Sequence, residues 1–126
     1  MADSINHPAH YNLHPSGVEA IDLCEVLSFN LGNAVKYLMR ADHKGQRVDD
    51  LRKAAWYLRR ESARVPTQMV SPTAMHLADR IIAHESRTAL GWLLDAILQG
   101  TVRADDLERV ASRIDDALAM QRAVQP

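Results

Sequence analysis

Four polar residues at helical spacing carry the first chemical signal in this chain. Asn33, Lys36, Tyr37 and Arg40 recur at intervals of three and four, which sets them on one face of a helix. A lysine and an arginine one turn apart can hold an anion, the lysine as a point charge and the arginine through its planar fork. Asn33 and Tyr37 add the hydrogen-bonding groups that orient a sugar or a base. The competing account is a solvated helix face, or ion pairs from Lys36 and Arg40 to Glu19, Asp22 or Glu25. A second signal is Trp56, whose neighbours at i±3 and i±4 are Arg52, Lys53, Arg59 and Arg60. An indole ringed by cations can stack a base while the cations hold phosphate. It can equally fill a subunit interface with its neighbours reaching outward.

The charge layout agrees with such a face. The chain's formal net charge is −1, which argues against a generally basic nucleic-acid coat protein. Yet residues 1–35 contain no Lys or Arg and four acids, whereas residues 36–64 hold nine Lys or Arg and four acids. Other chemistries are weakly signalled. Glu19, Asp22 and Glu25 have the spacing to share a magnesium ion, although an acidic solvated face accounts for them as well. His7, His10 and His14 lack a fourth metal partner, and no metal centre is expected. There is no glycine-rich phosphate loop and no nucleophile elbow.

These residues need a scaffold. At 126 residues, 47% hydrophobic and 25% charged, the chain can bury one core. One cysteine rules out an internal disulfide, and Cys24 falls on an apolar stripe. With no basic-then-apolar start and no long apolar run, neither secretion nor membrane insertion is expected, and the cytoplasm is the expected location. Helix-period stripes recur and sustained alternation does not, so the fold is expected to be all-α, with five to six helices and an oligomeric assembly. Helices are expected over 17–29, 33–42, from 48 or 49 onward, and over 73–85, 87–99 and 105–122. Ser71-Pro72 is read as a cap followed by proline at the first helical position. Residues 1–65 are taken as one helical domain with an N-terminal His/Tyr loop. Residues 66–126 are taken as a helical extension packing on that domain or on a partner subunit. Leu31-Gly32 through Asp49-Asp50-Leu51 is echoed by Leu90-Gly91 through Asp105-Asp106-Leu107. A duplicated hairpin and an independent origin of two acidic helix starts both account for the echo.

A set of ordered words completes the reading: His7-Pro8-Ala9-His10-Tyr11, Val18-Glu19-Ala20-Ile21-Asp22, Gly32-Asn33-Ala34-Val35-Lys36-Tyr37-Leu38-Met39-Arg40-Ala41, Lys44, and Asp50-Leu51-Arg52-Lys53-Ala54-Ala55-Trp56-Tyr57-Leu58. Over residues 5–62 the chain resembles a phage and prophage family of small helical proteins, long classed as a domain of unknown function. That family is often labelled nucleotide kinase after the end of a phage nucleotide kinase that has no phosphate loop. The resemblance implies a phage-type protein, in the host cytoplasm if phage-encoded, that handles a nucleotide. Its implied site residues are His7, His10, Tyr11, Asn33, Lys36, Tyr37, Arg40, Lys44 and Lys53, to which the residue reading adds Trp56. Because the sequence departs from the kinase-like relative in lacking that protein's long front region, binding is expected ahead of catalysis.

Three functions are therefore expected in order. The first is nucleotide binding by a homo-oligomer without turnover and without a cofactor, sequestering a signalling nucleotide against host defence. The second is a nucleotide kinase or phosphotransferase, with Lys36 and Arg40 on the transferring group and magnesium on Glu19 or Asp22. The third is a module binding a partner protein or single strand through Trp56, with nucleic acid placed behind a free nucleotide as the ligand.

Overall fold

The computed structural model describes residues 14–41, 46–85 and 88–124. Six helices and a two-stranded ribbon follow in the order α1 (Ala20–Cys24), α2 (Phe29–Ala41), α3 (Arg47–Arg64), β1 (Thr67–Met69), α4 (Pro72–Ile82), α5 (Ala89–Leu98), β2 (Thr101–Arg103) and α6 (Ala104–Val124). The fold is mostly helical, and none of its helices is long and apolar enough to cross a membrane among the described residues.

Helix starts follow local chemistry. Ser71 Oγ accepts from the Ala74 amide at 3.1 Å with Pro72 in the first turn, as its sequence suggests. Thr88 Oγ1 accepts from the Gly91 amide at 3.0 Å at the head of α5. Asp106 Oδ2 accepts from the Arg103 amide at 3.0 Å, so the acidic start of α6 satisfies a backbone donor left bare by the helix geometry.

Two features depart from the sequence expectation. The first is the ribbon, in which Gln68 pairs with Val102, flanked by Thr67 with Arg103 and Met69 with Thr101. Hydrogen bonds from Val70 N to Gly100 O and from Ala104 N to Pro66 O continue it at either end. Strands of three residues are too short to show alternation, and Gly100 at φ +84° supplies the left-handed turn that brings the chain out of α5 into β2.

The second is the early stop of the first helix, at Cys24 rather than near Phe29. Where α2 crosses α1, Cys24 Sγ donates to Gly32 O at 2.9 Å. A Cβ on Gly32 would lie 2.8 Å from the Cys24 carbonyl oxygen, so only glycine permits this approach. Residues 25–28 turn, Ser28 Oγ donates to Glu61, and α2 begins at Phe29, four residues ahead of its expected start.

The core joins all six helices. Leu23, Leu31, Leu58, Ile81, Leu94 and Ile114 are all at most 1% exposed and belong to α1 through α6 in turn. The α2–α3 and α5–α6 pairs bury matching positions: Leu31, Val35 and Leu38 against Leu90, Leu94 and Ile97, and Leu51, Ala55 and Leu58 against Leu107, Ala111 and Ile114.

Glu61 is fully buried on α3 and accepts from Ser28 Oγ (2.7 Å), Asn30 Nδ2 (3.0 Å), Gln68 Nε2 (2.8 Å) and both Nε and Nη2 of Arg64 (2.7 and 3.0 Å). It thereby ties the α1–α2 turn, α3 and β1 together. The Arg64 guanidinium, followed by the hydroxyl and amide donors, holds its carboxyl at about 2, against burial that pushes the other way.

Two stability predictions follow from these contacts. Gly32→Ala should lower stability by about 1–3 kcal/mol in urea unfolding, because backbone rather than a movable side chain meets the new methyl. Since the folded pKa of Glu61 lies below its ordinary value of 4.5, its contribution is present above that pH and fades as pH falls toward about 2. Glu61→Gln should therefore cost about 2 kcal/mol at pH 7, after discounting the solvent-facing Arg64 end, and the difference from wild type should shrink between pH 5 and 2.

Candidate functional site

The polar face of α2 divides into residues engaged by the fold and residues left at the surface. Asn33 Nδ2 donates back to Phe29 O at 2.8 Å, closing the first turn of its own helix. Arg40 Nε lies 3.6 Å from Asp50 Oδ2, and the Asp50 side chain is 1% exposed. Neither atom has a hydrogen-bond partner, so the pair is held by charge alone where the end of α2 faces the first turn of α3. The acids considered for Arg40 from the sequence have other work: Asp22 Oδ2 accepts from the Glu19 amide at 3.0 Å at the start of α1, and Glu19 is buried.

Lys36 and Tyr37 remain at the surface and are joined there by α3. Tyr37 stacks on Tyr57 with centroids 6.0 Å apart and planes 13° from parallel. The ammonium groups of Lys36 and Lys53 lie 5.0 and 5.3 Å from the Tyr37 centroid. Two cations from adjacent helices are thus gathered on one ring, an arrangement worth about 0.5–1 kcal/mol each at an exposed site.

The stack continues along α3. Trp56 meets Tyr57 edge to face at 5.1 Å, and Phe29, at the head of α2, meets the same ring at 6.1 Å. Phe29 is 75% and Trp56 58% exposed. Four of the chain's six aromatic residues therefore form one surface cluster in which half-buried tyrosines support exposed rings. The cluster borders a concavity of about 450 Å³ lined by Phe29, Asn30, Trp56, Tyr57, Arg60 and the Glu61–Arg64 pair. On the other side of Trp56 a second hollow of about 440 Å³ is lined by Arg52, Ala55, Arg59, Arg60 and Asp115.

Of the four cations around Trp56 in the sequence, one is taken by the neighbouring helix. Arg59 Nη2 donates to Asp115 at 2.6 Å and Nε lies 3.7 Å from Glu108, both on α6, and these partners raise its pKa. Arg52 and Arg60 make no ion pair among the described residues, and both are exposed. Lys36, Arg52, Lys53 and Arg60 are therefore positioned to meet an anion, while Asn33 and Arg40 serve the scaffold. Neither hollow beside Trp56 includes Asn33, Lys36 or Arg40.

Four residues implied by the resemblance, His7, His10, Tyr11 and Lys44, lie outside the described residues. His14 is described: Ser16 lies against Nδ1, with its amide donating at 3.1 Å and its hydroxyl 2.7 Å away, and Nε2 stands 3.2 Å from Glu85. The ring thus pins the start of the described chain to the end of α4. Burial pushes the Cys24 thiol up to about 11, which keeps it protonated and unreactive. Sequence reasoning missed Phe29. Once α2 begins there, Phe29 stands four residues before Asn33 and falls on the same face, but a helix starting at 33 hides that relation.

A family of proteins of unknown function, DUF3310, matches residues 5–59, somewhat under half of the chain, ending within α3. No curated protein and no solved structure matches it. The matched stretch contains Phe29, Lys36, Tyr37, Lys53, Trp56 and Tyr57 but not Arg60 or Arg64.

Arg40→Ala should cost about 2 kcal/mol in chemical denaturation, because it strands a buried carboxylate. Adding Asp50→Asn should restore part of that loss, which would mark Arg40 as a scaffold residue in a way that loss of binding alone cannot.

Proposed function

We propose that the protein binds a nucleotide on the α2–α3 face and holds it without turnover. The observation that carries this reading is the continuous cluster in which Lys36 and Lys53 sit on the Tyr37 ring, Tyr37 stacks on Tyr57, and Tyr57 meets the exposed rings of Phe29 and Trp56. A nucleotide presents a π-face beside a multiply charged group, and this surface offers the complement of both. In this reading the base lies against Trp56 and Phe29, and Lys36 and Lys53 take the phosphates. The resemblance to phage proteins labelled nucleotide kinase points the same way, and sequestration of a signalling nucleotide in a host cell is the biological role it suggests.

The geometry favours binding over phosphoryl transfer. Transfer needs an in-line donor and acceptor with the developing charge neutralised in a screened site. Asp22 caps a five-residue helix and Glu19 is buried beside it, so neither acid proposed for magnesium faces the lysines' surface as a free ligand group. A homo-oligomer that lays a second chain over the aromatic face would shield the ligand.

A thermal-shift panel of nucleoside mono-, di- and triphosphates should raise the melting temperature by several degrees for the bound class, since a ligand that binds only the folded state stabilises it. Lys36→Ala/Lys53→Ala should weaken that ligand about tenfold or more in calorimetry, while the apo melting temperature falls by no more than the few degrees that two lost cation–π contacts account for. Ligand recovered after incubation should be chemically intact; appearance of a transferred phosphoryl group would instead establish the kinase.

A further inference from the structure

Trp56 and Arg60 stand one turn apart on the exposed side of α3 and form a ridge between the two hollows. Both residues line the hollow on the α2 side, where Phe29 and Tyr57 supply an aromatic wall. Both also line the hollow on the α6 side, where Ala55 and Ala63 supply an aliphatic one. At about 450 and 440 Å³, each falls within the range of small-ligand sites. A single nucleotide would occupy one hollow and leave the other side of the indole bare. Arg60, which makes no ion pair among the described residues, is the cation common to both.

Two bases sandwiching an indole are separated by about 7 Å, twice the roughly 3.4 Å rise of a stacked strand. One phosphodiester link spans that distance, and to do so it must pass over the ridge beside Arg60. We infer that the ligand unit is two nucleotides joined by a phosphodiester, straddling Trp56 with one base in each hollow and the bridging phosphate on Arg60. This deepens the nucleotide-binding reading and rests on it. The same unit occurs in a free dinucleotide and as one step of a single strand, and both sources share the chemistry recognised here.

Calorimetric titration of the full chain with a mononucleotide, the 5′-phosphorylated dinucleotide and a dodecanucleotide, in thymidine and adenosine series, tests it. In at least one series the dinucleotide should bind about tenfold tighter than the mononucleotide, the gain expected from stacking a second base. Trp56→Ala should erase that ratio, and Arg60→Ala should weaken the dinucleotide more than the mononucleotide. Both side chains are exposed, and an unchanged apo melting temperature confirms that the variants fold. A dodecanucleotide that binds no tighter per site than the dinucleotide identifies the free dinucleotide as the source, and a tighter one identifies a strand; either result upholds the two-base unit. Equal affinity for mono- and dinucleotide in both series overturns this inference and leaves the nucleotide reading standing. Binding of polyglutamate in place of every nucleotide, or no binding at all, overturns both.

Discussion

The fully buried carboxylate of Glu61 is the constraint on which the aromatic face depends. An ionised side chain removed from water is tolerable only when its oxygens are filled by donors, and here five donor groups from four residues fill them. Two of those residues, Ser28 and Asn30, flank Phe29. By drawing the α1–α2 turn against α3, Glu61 sets where α2 begins and hence where Phe29 lies. Phe29 meets Tyr57 because the residues on either side of it are hydrogen-bonded to a position one turn further along α3. The scaffold charge and the surface aromatics are one arrangement.

The same bookkeeping explains how a chain of net charge −1 presents a cationic surface. Asp50 engages Arg40, Glu61 engages Arg64, and Asp115 with Glu108 engages Arg59. Each pair lies at a junction: the passage from α2 into α3, the turn into β1, and the packing of α3 on α6. The cations left over, Lys36, Arg52, Lys53 and Arg60, stand on the outward side of α2 and α3. The tyrosine stack then holds two of them in place without neutralising them, since a ring face attracts an ammonium while leaving its charge available to a ligand.

Helix number, core stripes and the Ser71-Pro72 cap were legible because each depends on spacing within one element. Leu51, Ala54, Ala55 and Leu58 are buried on α3 as their period requires. The placement of Trp56 away from that stripe also followed, and it is exposed. What spacing cannot show is how a residue is used by a distant one. The periodicity of 17–29 continues through Leu27, yet Gly32 crossing at Cys24 and Ser28 reaching Glu61 end the helix there. Asn33, Lys36, Tyr37 and Arg40 share a face as expected, but Asp50 and the Phe29 carbonyl claim two of the four. In the same way Arg59 looked equivalent to Arg60 until α6 placed two acids beside only one of them.

The second helical pair offers a comparison with the first. At the positions of Leu51, Ala55 and Leu58 it has Leu107, Ala111 and Ile114, equally buried, so the demands of packing are the same in both. Outside the core they diverge. The position of Lys36 is taken by Asp95, that of Tyr37 by Ala96 and that of Trp56 by Ser112. An aromatic cluster is therefore no requirement of this helical pair, which closes its core without one. Packing cannot account for exposed rings such as Phe29 and Trp56, whose apolar area would gain by burial. Stacking a flat ligand, and closing a second surface over it, are two ways this area would leave water, and in the proposed reading the cations beside it match a ligand that carries negative charge.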